Sequence, residues 1–196
     1  MQLRYGREYN VTLSDAEVLS RFRSAYNQPW GASSRYSGDA RDFWGFIVAK
    51  SLACDNPMLA EDIYRYYERP EAWSLAPGLV PALLRIRQAG IPICVVSNFD
   101  TRLKPTLKVL GILDLFDHVI VSAEVGAEKP SPVIFEAACR ACGVDPSAEL
   151  VVHVGDDRRN DVWGARDCGL AAWLWGIDVS TFDEIADRVI SGNTAL

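Results

Sequence analysis

The chain has 196 residues, of which 49% are hydrophobic and 23% are charged. This composition excludes a largely disordered chain, because the apolar content is enough to build a core. It also excludes collagen-like and low-complexity fibres. The formal net charge of −6 disfavours a dedicated nucleic-acid or anionic-membrane binder, because such proteins present a positive face. We therefore expect one or two globular domains, with no nucleic acid and no membrane among the partners.

The cysteines indicate the compartment. There are five of them, and no apolar segment of the secretory type opens the sequence. No apolar run approaches the ~18 residues that a membrane span needs. A sparse, odd set of thiols is typical of a reducing compartment, so we predict a cytoplasmic location, with an organelle as the alternative if an N-terminal segment precedes this sequence. Cys139 and Cys142 have CxxC spacing, but without a second pair we interpret them as packed helix thiols.

Residues 1–72 show helical patterns and no convincing strand. Ser14 and Glu17 form a capping box, which predicts a helix start. A loop follows at 29–38, where Pro, Gly and Ser are frequent. Two more helices are predicted over 39–52 and 57–67, the second with a proline at its first position. We expect these residues to form an all-helical domain.

From residue 73 onward, strand and helix patterns alternate, which is typical of an α/β domain with a parallel sheet. We predict a domain over 73–196. The predicted strands are Ile91–Val96, His118–Val121, Leu150–Val154 and Ala171–Trp175. The predicted helices are Leu79–Ala89, Arg102–Leu110, Pro132–Cys142, Asp161–Cys168 and Thr181–Ile190. The histidines His118 and His153 lie in or beside strands, where a packing or hydrogen-bonding role is favoured over catalysis.

Polar residues follow the first two strands, at the edge of the sheet where ligands bind in this architecture. Ser97 and Asn98 suit a phosphate or another oxyanion, although both residue types also favour helix caps. Lys129 lies beside a predicted helix start whose N-cap is Ser131. A lysine there is either a solvated surface residue or the counter-charge of an anion bound at the helix N-terminus.

An acidic loop follows the third strand. Asp156, Asp157 and Asp161 offer oxygen ligands suited to Mg²⁺, or alternatively acidic caps for the next helix. At three successive strand ends the chain thus offers a hydroxyl and amide pair, a lysine and a set of carboxylates. Phosphoryl transfer needs such parts, because the charge on the phosphoryl oxygens must be neutralised and the phosphoryl group must be held in position.

In this order, the three junctions resemble the motifs of the haloacid dehalogenase (HAD) superfamily of hydrolases. Ser97-Asn98 is similar to its second motif, Lys129-Pro130 to its third, and Gly155-Asp156 with Asp161 to its fourth. The run Val96–Asp100 together with 122–124 resembles one eukaryotic subgroup. The resemblance covers roughly 73–190 and implies a three-layer Rossmannoid core, with residues 1–72 as a helical cap inserted after the first strand.

The resemblance also implies a role for each position. Ser97 would hydrogen-bond a phosphoryl group, Asn98 would organise it, and Lys129 would neutralise its charge. Asp156 would hold Mg²⁺ directly or through water, with Asp161 supporting the metal shell and Asp157 assisting. The expected ligand is a small phosphorylated substrate or inorganic phosphate.

One motif of the superfamily has no counterpart here. It is an Asp-x-Asp pair at the end of a central first strand, and no such pair occurs in the chain. Three explanations stay open: a product of a longer active enzyme, a short form that binds without catalysis, or a position filled by another segment or chain. We expect a Mg²⁺-dependent phosphatase acting through an aspartyl-phosphate in the full-length form, and no activity of this chain alone. The alternative is a catalytically inactive binding or protein-interaction module.

Overall fold

A computed structural model describes residues 8–30, 35–145 and 151–192. The chain divides into two compact units, Met1–Ser74 and Leu75–Leu196. The helices of the described residues reach 12 residues at most, and none of them has both the length and the apolar character that a membrane crossing requires.

The first unit is helical, as the sequence predicts. Its helices are α1 (Asp15–Tyr26), α2 (Arg41–Leu52) and α3 (Pro57–Tyr66), followed by a 3₁₀ turn at Pro70–Ala72. The predicted capping box is present, because the Ser14 hydroxyl accepts from the Glu17 N–H and the Glu17 carboxylate accepts from the Ser14 N–H. At the start of α3, the Asn56 side chain caps the Met58 N–H at 2.9 Å.

The core of the first unit has an aliphatic part and an aromatic part. The buried aliphatic residues are Val11, Val18, Val48, Leu52, Leu59 and Ile63. Phe43 is 2% exposed and lies within 6.0 Å, between ring centroids, of Tyr26, Trp30 and Tyr36. Edge-to-face contacts of this kind add to the free energy that area burial supplies.

The second unit alternates strands and helices, which confirms the α/β prediction. Its strands are β1 (Cys94–Ser97), β2 (His118–Val121), β3 (Val152–Gly155) and β4 (Ala171–Leu174). Its helices are α4 (Leu79–Gln88), α5 (Leu103–Val109), α6 (Ser122–Val125), α7 (Pro132–Cys142), α8 (Gly164–Asp167) and α9 (Phe182–Ile190). A 3₁₀ turn spans Leu113–Leu115, and a π-helical segment spans Arg158–Trp163.

The four strands form two parallel pairs. Cys94 lies opposite His118 in the first pair, and Val152 lies opposite Ala171 in the second. Among the described residues these pairs are two separate two-stranded sheets. All residues of β1 and β3 are half-buried, whereas β2 and β4 include fully buried positions. Strands in the middle of a helix-covered sheet are normally buried on both faces. Among the described residues, β1 and β3 each pair with a strand on one side only.

Several strand boundaries differ from the predicted ones, and for two of them the structure shows a specific contact. β1 and β3 each end one residue later than predicted, at Ser97 and Gly155. β1 starts at Cys94 and not at Ile91, because Ile93 is engaged by Asp117 through its N–H and its carbonyl, both at 2.8 Å. β4 ends at Leu174: the Trp175 N–H still donates to the Gly155 carbonyl at 2.8 Å, but the bridge partner of Trp175 is Val179. Leu150, the predicted start of the third strand, lies outside the described residues.

Helices cover both faces and hold the two sheets together. On one face, Ile134 and Phe135 of α7 share a cluster with Val96 of β1 and with Ala172 and Leu174 of β4. Neighbouring strand residues point to opposite faces. Val95 accordingly packs near Leu79 and Val80 of α4, and Trp173 lies beneath Arg188 of α9. The helices α4 and α9 pack against each other through Ala82, Ile86 and Ala186, so the second unit has three layers.

The helix α7 allows a direct test of this layer. Ile134→Ala removes a fully buried side chain and is expected to lower the free energy of unfolding by about 2–5 kcal/mol. Val133→Ala on the same helix changes a side chain that is 44% exposed and should stay within about 0.5 kcal/mol. Urea denaturation followed by circular dichroism measures both, and equal effects of the two variants would contradict the packing described.

Candidate functional site

Asn98 follows β1 and fixes the backbone of Lys129. Its side-chain carbonyl accepts from the Lys129 N–H at 2.6 Å, and its amide donates to the Lys129 carbonyl at 3.0 Å. Both ends of the amide are therefore used on one residue of the loop that follows α6. The helix-cap interpretation of Asn98 does not hold, since α5 starts after Arg102 without a side-chain cap.

The Lys129 side chain reaches from its loop to the ends of two strands. Its ammonium donates to the Val96 carbonyl of β1 at 2.8 Å and to Asp161 Oδ1 at 2.6 Å. The side chain is 12% exposed. It is thus not a solvated surface lysine, the alternative that the sequence left open. Ser131, the predicted cap of the helix that follows, is the N-cap residue of α7 but makes no side-chain cap bond.

Asp161 is the residue on which the site converges. Besides Lys129, its Oδ1 faces His153 Nε2 of β3 at 3.0 Å, and its Oδ2 accepts from the Asp157 N–H at 2.9 Å. Burial acts to raise the pKa of Asp161. The hydrogen bond from His153, the charge and hydrogen bond of Lys129 and the Asp157 N–H outweigh that effect and hold this pKa well below its usual range.

Gly155 leaves the space that Asp161 occupies. A Cβ atom at this position would overlap with the Cβ, Cγ and Oδ2 atoms of Asp161. Gly164 is similarly required, because its Cβ would lie 2.9 Å from Cα of Pro130, next to Lys129. Gly155 and Gly164 thus both allow a close approach, and neither has the positive φ that would require glycine for a turn.

Asp157 acts as a helix cap. Its carboxylate accepts from the N–H groups of Arg159 and Asn160, both at 2.8 Å, and from the Asn160 side chain at 3.0 Å. Within the described residues, the Ser97 hydroxyl and the Asp156 carboxylate have no hydrogen-bond partner. Ser97 is half-buried at the end of β1, and Asp156 is exposed directly after β3.

The acidic residues fit Mg²⁺ only in part. The described residues contain no group of three acidic, histidine or cysteine side chains that could hold a metal. Both oxygens of Asp157 and of Asp161 already accept hydrogen bonds. Asp156 is available, and Mg²⁺ is commonly held by one or two carboxylates together with waters and phosphate oxygens. The donor set thus fits Mg²⁺ through Asp156, with Asp157 and Asp161 shaping the loop.

The prediction that His153 has a packing or hydrogen-bonding role is confirmed, because its ring packs against Phe135 and it is the β3 partner of Asp161. One further residue of this region was not among the predicted site residues. Ser122 joins the loop after β1 to the end of β2: its hydroxyl donates to the Phe99 carbonyl at 3.1 Å and accepts from the Phe99 N–H at 3.0 Å. A signal existed for Ser122, because it directly follows a strand paired with β1.

A sequence profile described as haloacid dehalogenase-like hydrolase matches residues 6–169. The chain belongs to this family. The haloacid dehalogenase-like hydrolase domain-containing protein 3 of Mus musculus is 34% identical over 182 residues, which cover 86% of this chain and 70% of that protein.

Two further similarities involve proteins described as phosphatases. The glyceraldehyde 3-phosphate phosphatase of Methanopyrus kandleri is 38% identical over 95 residues, covering 48% of this chain and 40% of that protein. The crystal structure of a HAD phosphatase from Thermococcus onnurineus superposes with a TM-score of 0.66 at 27% identity, covering 98% of this chain and 86% of that one. The chain therefore shares the HAD fold as well as the family.

The close approach at Gly155 gives a prediction for this HAD family member. Gly155→Ala should lower the free energy of unfolding by about 1–3 kcal/mol, because the new methyl group displaces Asp161. Gly45→Ala is the control, since nothing lies within 4 Å of its Cβ position and alanine favours its helix. Thermal unfolding of both variants checks this, and an unchanged Gly155→Ala protein would contradict the contact.

The lowered pKa of Asp161 gives a pH prediction. A carboxyl group with a lowered folded-state pKa contributes stability above its unfolded pKa, and this stability is lost as the pH falls through the folded-state value. Asp161→Asn should therefore cost about 3 kcal/mol near pH 7, because it leaves the Lys129 charge unpaired. This cost should shrink below about pH 4. Urea unfolding at several pH values measures the difference, with exposed Asp167→Asn as the control. A cost independent of pH would contradict the assignment.

Proposed function

We propose that the second unit binds the phosphoryl group of a small phosphorylated molecule, or inorganic phosphate, together with Mg²⁺. The observation that carries this proposal is the position of the Lys129 ammonium. It is held at the ends of β1 and β3 by the Val96 carbonyl and Asp161, while Asn98 fixes its backbone. An ammonium group has three donors, so one N–H is left for an anion.

Ser97 and Asp156 complete the proposed site. The Ser97 hydroxyl at the end of β1 is a donor for a second phosphoryl oxygen. The carboxylate of Asp156, at the end of β3, is proposed to hold Mg²⁺. When bound, the metal neutralises charge on the phosphoryl oxygens. The Lys129 ammonium would also neutralise charge on the phosphoryl group.

Names of relatives favour phosphate over an organic halide as the ligand. The Methanopyrus kandleri and Thermococcus onnurineus proteins are both described as phosphatases. A lysine and an acidic metal loop also suit a multiply charged oxyanion better than a haloacid. We therefore propose that the reaction class connected with this site is hydrolysis of phosphate monoesters.

The chain alone is proposed to bind phosphate without turning it over. HAD-type hydrolysis through an aspartyl-phosphate needs an Asp-x-Asp pair, and these 196 residues contain none. The carboxylate paired with Lys129 cannot substitute, because both oxygens of Asp161 are engaged by hydrogen bonds. The same observation supports the second candidate function, a catalytically inactive binding or interaction module.

Calorimetric titration with inorganic phosphate in the presence of Mg²⁺ tests the proposed site. Ser97→Ala is expected to weaken phosphate binding about fivefold to tenfold, the ordinary effect of one lost hydrogen bond. Asp156→Asn should abolish the contribution of Mg²⁺ to binding, because it removes the one available carboxylate. The matched controls are Ser191→Ala and Asp167→Asn, which change exposed residues away from the strand ends.

The same preparations are then assayed with an aryl phosphate. We expect negligible turnover by the 196-residue chain. Turnover that disappears in Asp156→Asn would show that the chain is an active phosphatase and refute the proposed inactivity. If no phosphate binds with or without Mg²⁺, the proposed site itself is wrong.

A further inference from the structure

His153 is one of two histidines in the chain, and its side chain is engaged inside the second unit. The side chain is 13% exposed. Nε2 lies 3.0 Å from Asp161 Oδ1, and the ring meets Phe135 of α7 edge-on, with 5.2 Å between centroids. A carboxylate only accepts hydrogen bonds, so Nε2 carries the hydrogen of this contact. The ring is thus fixed by packing on one side and by a charged acceptor on the other.

The acceptor that His153 uses is also the acceptor of Lys129. Asp161 Oδ1 receives both the Lys129 ammonium at 2.6 Å and His153 Nε2. Two donors that share one oxygen divide its negative charge between them. The Asp161 side chain is 5% exposed, so little water is available to replace a lost donor.

We propose that His153 is a positioning residue that orients Asp161 and thereby keeps the Lys129 ammonium available to a bound phosphoryl group. The part of this proposal that concerns a bound phosphoryl group rests on the proposed function. His153 takes no part in chemistry itself: it holds Asp161 Oδ1 so that this oxygen does not neutralise Lys129 alone. Without the Nε2 donor, the ion pair between Lys129 and Asp161 tightens, and the ammonium binds an incoming anion less well.

The variants separate the hydrogen bond from the packing. His153→Phe keeps a ring against Phe135 and removes the donor, and His153→Asn removes the reach to Asp161 without adding an apolar group. His153→Gln keeps an N–H donor at a similar distance from the backbone. His118→Gln and His118→Phe are the matched controls, because His118 is half-buried on β2 and makes no contact with Asp161.

Two measurements are made on each variant. Calorimetry gives the dissociation constant of inorganic phosphate with Mg²⁺, which should rise about tenfold in His153→Phe and His153→Asn, as expected for one lost hydrogen bond to a charged group. Nuclear magnetic resonance of ¹⁵N-labelled lysine ammonium groups reports Lys129 directly, and the chain has only four lysines. The Lys129 signal should move in both variants. His153→Gln should restore both readouts, and thermal unfolding identifies any variant that is not folded.

Each outcome decides the proposal. A wild-type Lys129 signal in His153→Phe or His153→Asn overturns it, whatever happens to phosphate binding. The proposal is also overturned if His153→Phe and His153→Asn weaken phosphate binding and shift the Lys129 signal but His153→Gln restores neither. Ring packing, and not the hydrogen bond, would then explain the effects. If the Lys129 signal moves and is restored while the wild-type chain binds no phosphate, the positioning role stands and the proposed function alone is refuted.

Discussion

One buried carboxylate, that of Asp161, holds the second unit's site together. It accepts from a lysine that follows β2, from a histidine within β3 and from the backbone of its own loop. A buried charge is tolerated only when it is paired and hydrogen-bonded, and here the three donors come from three different parts of the chain. Gly155 provides the necessary space. Asp161 thus ties together three segments that the parallel topology brings to the strand ends.

Much of this architecture could be predicted from the sequence, because the signals were local. The capping box at Ser14 and the alternation of apolar runs depend on neighbouring residues only, and both are confirmed. The start of β1 was wrong by three residues, because the competing partner of Ile93 is Asp117, which lies far along the chain. Tertiary contacts of this kind leave no periodic pattern.

The same contrast between what the sequence predicts and what only tertiary contacts decide applies to the site residues. Their convergence at the strand ends follows from parallel topology, and Asn98, Lys129 and Asp161 do meet. Their individual contacts could not be foreseen. Asn98 forms hydrogen bonds with the backbone of Lys129, and Asp157 caps a π-helical segment. Asp156 is left as the free carboxylate of the loop. Which oxygen of an acidic run stays available depends on hydrogen-bond geometry, and sequence spacing does not encode that geometry.

The two sheets of the second unit share no backbone ladder among the described residues. Their mutual alignment therefore depends on side chains. The helix α7 contacts β1 and β4 in one cluster. The Lys129 ammonium joins the Val96 carbonyl of β1 to Asp161 in the segment after β3. In most α/β proteins, backbone hydrogen bonds between neighbouring strands fix the positions of the strand ends. Within the part of the chain that the structure describes, side-chain packing holds the two strand pairs against each other. The distance between the two pairs of strand ends therefore depends on the apolar layer, so substitutions of Ile134 or Phe135 in α7 are expected to change how far apart the polar groups at these strand ends lie.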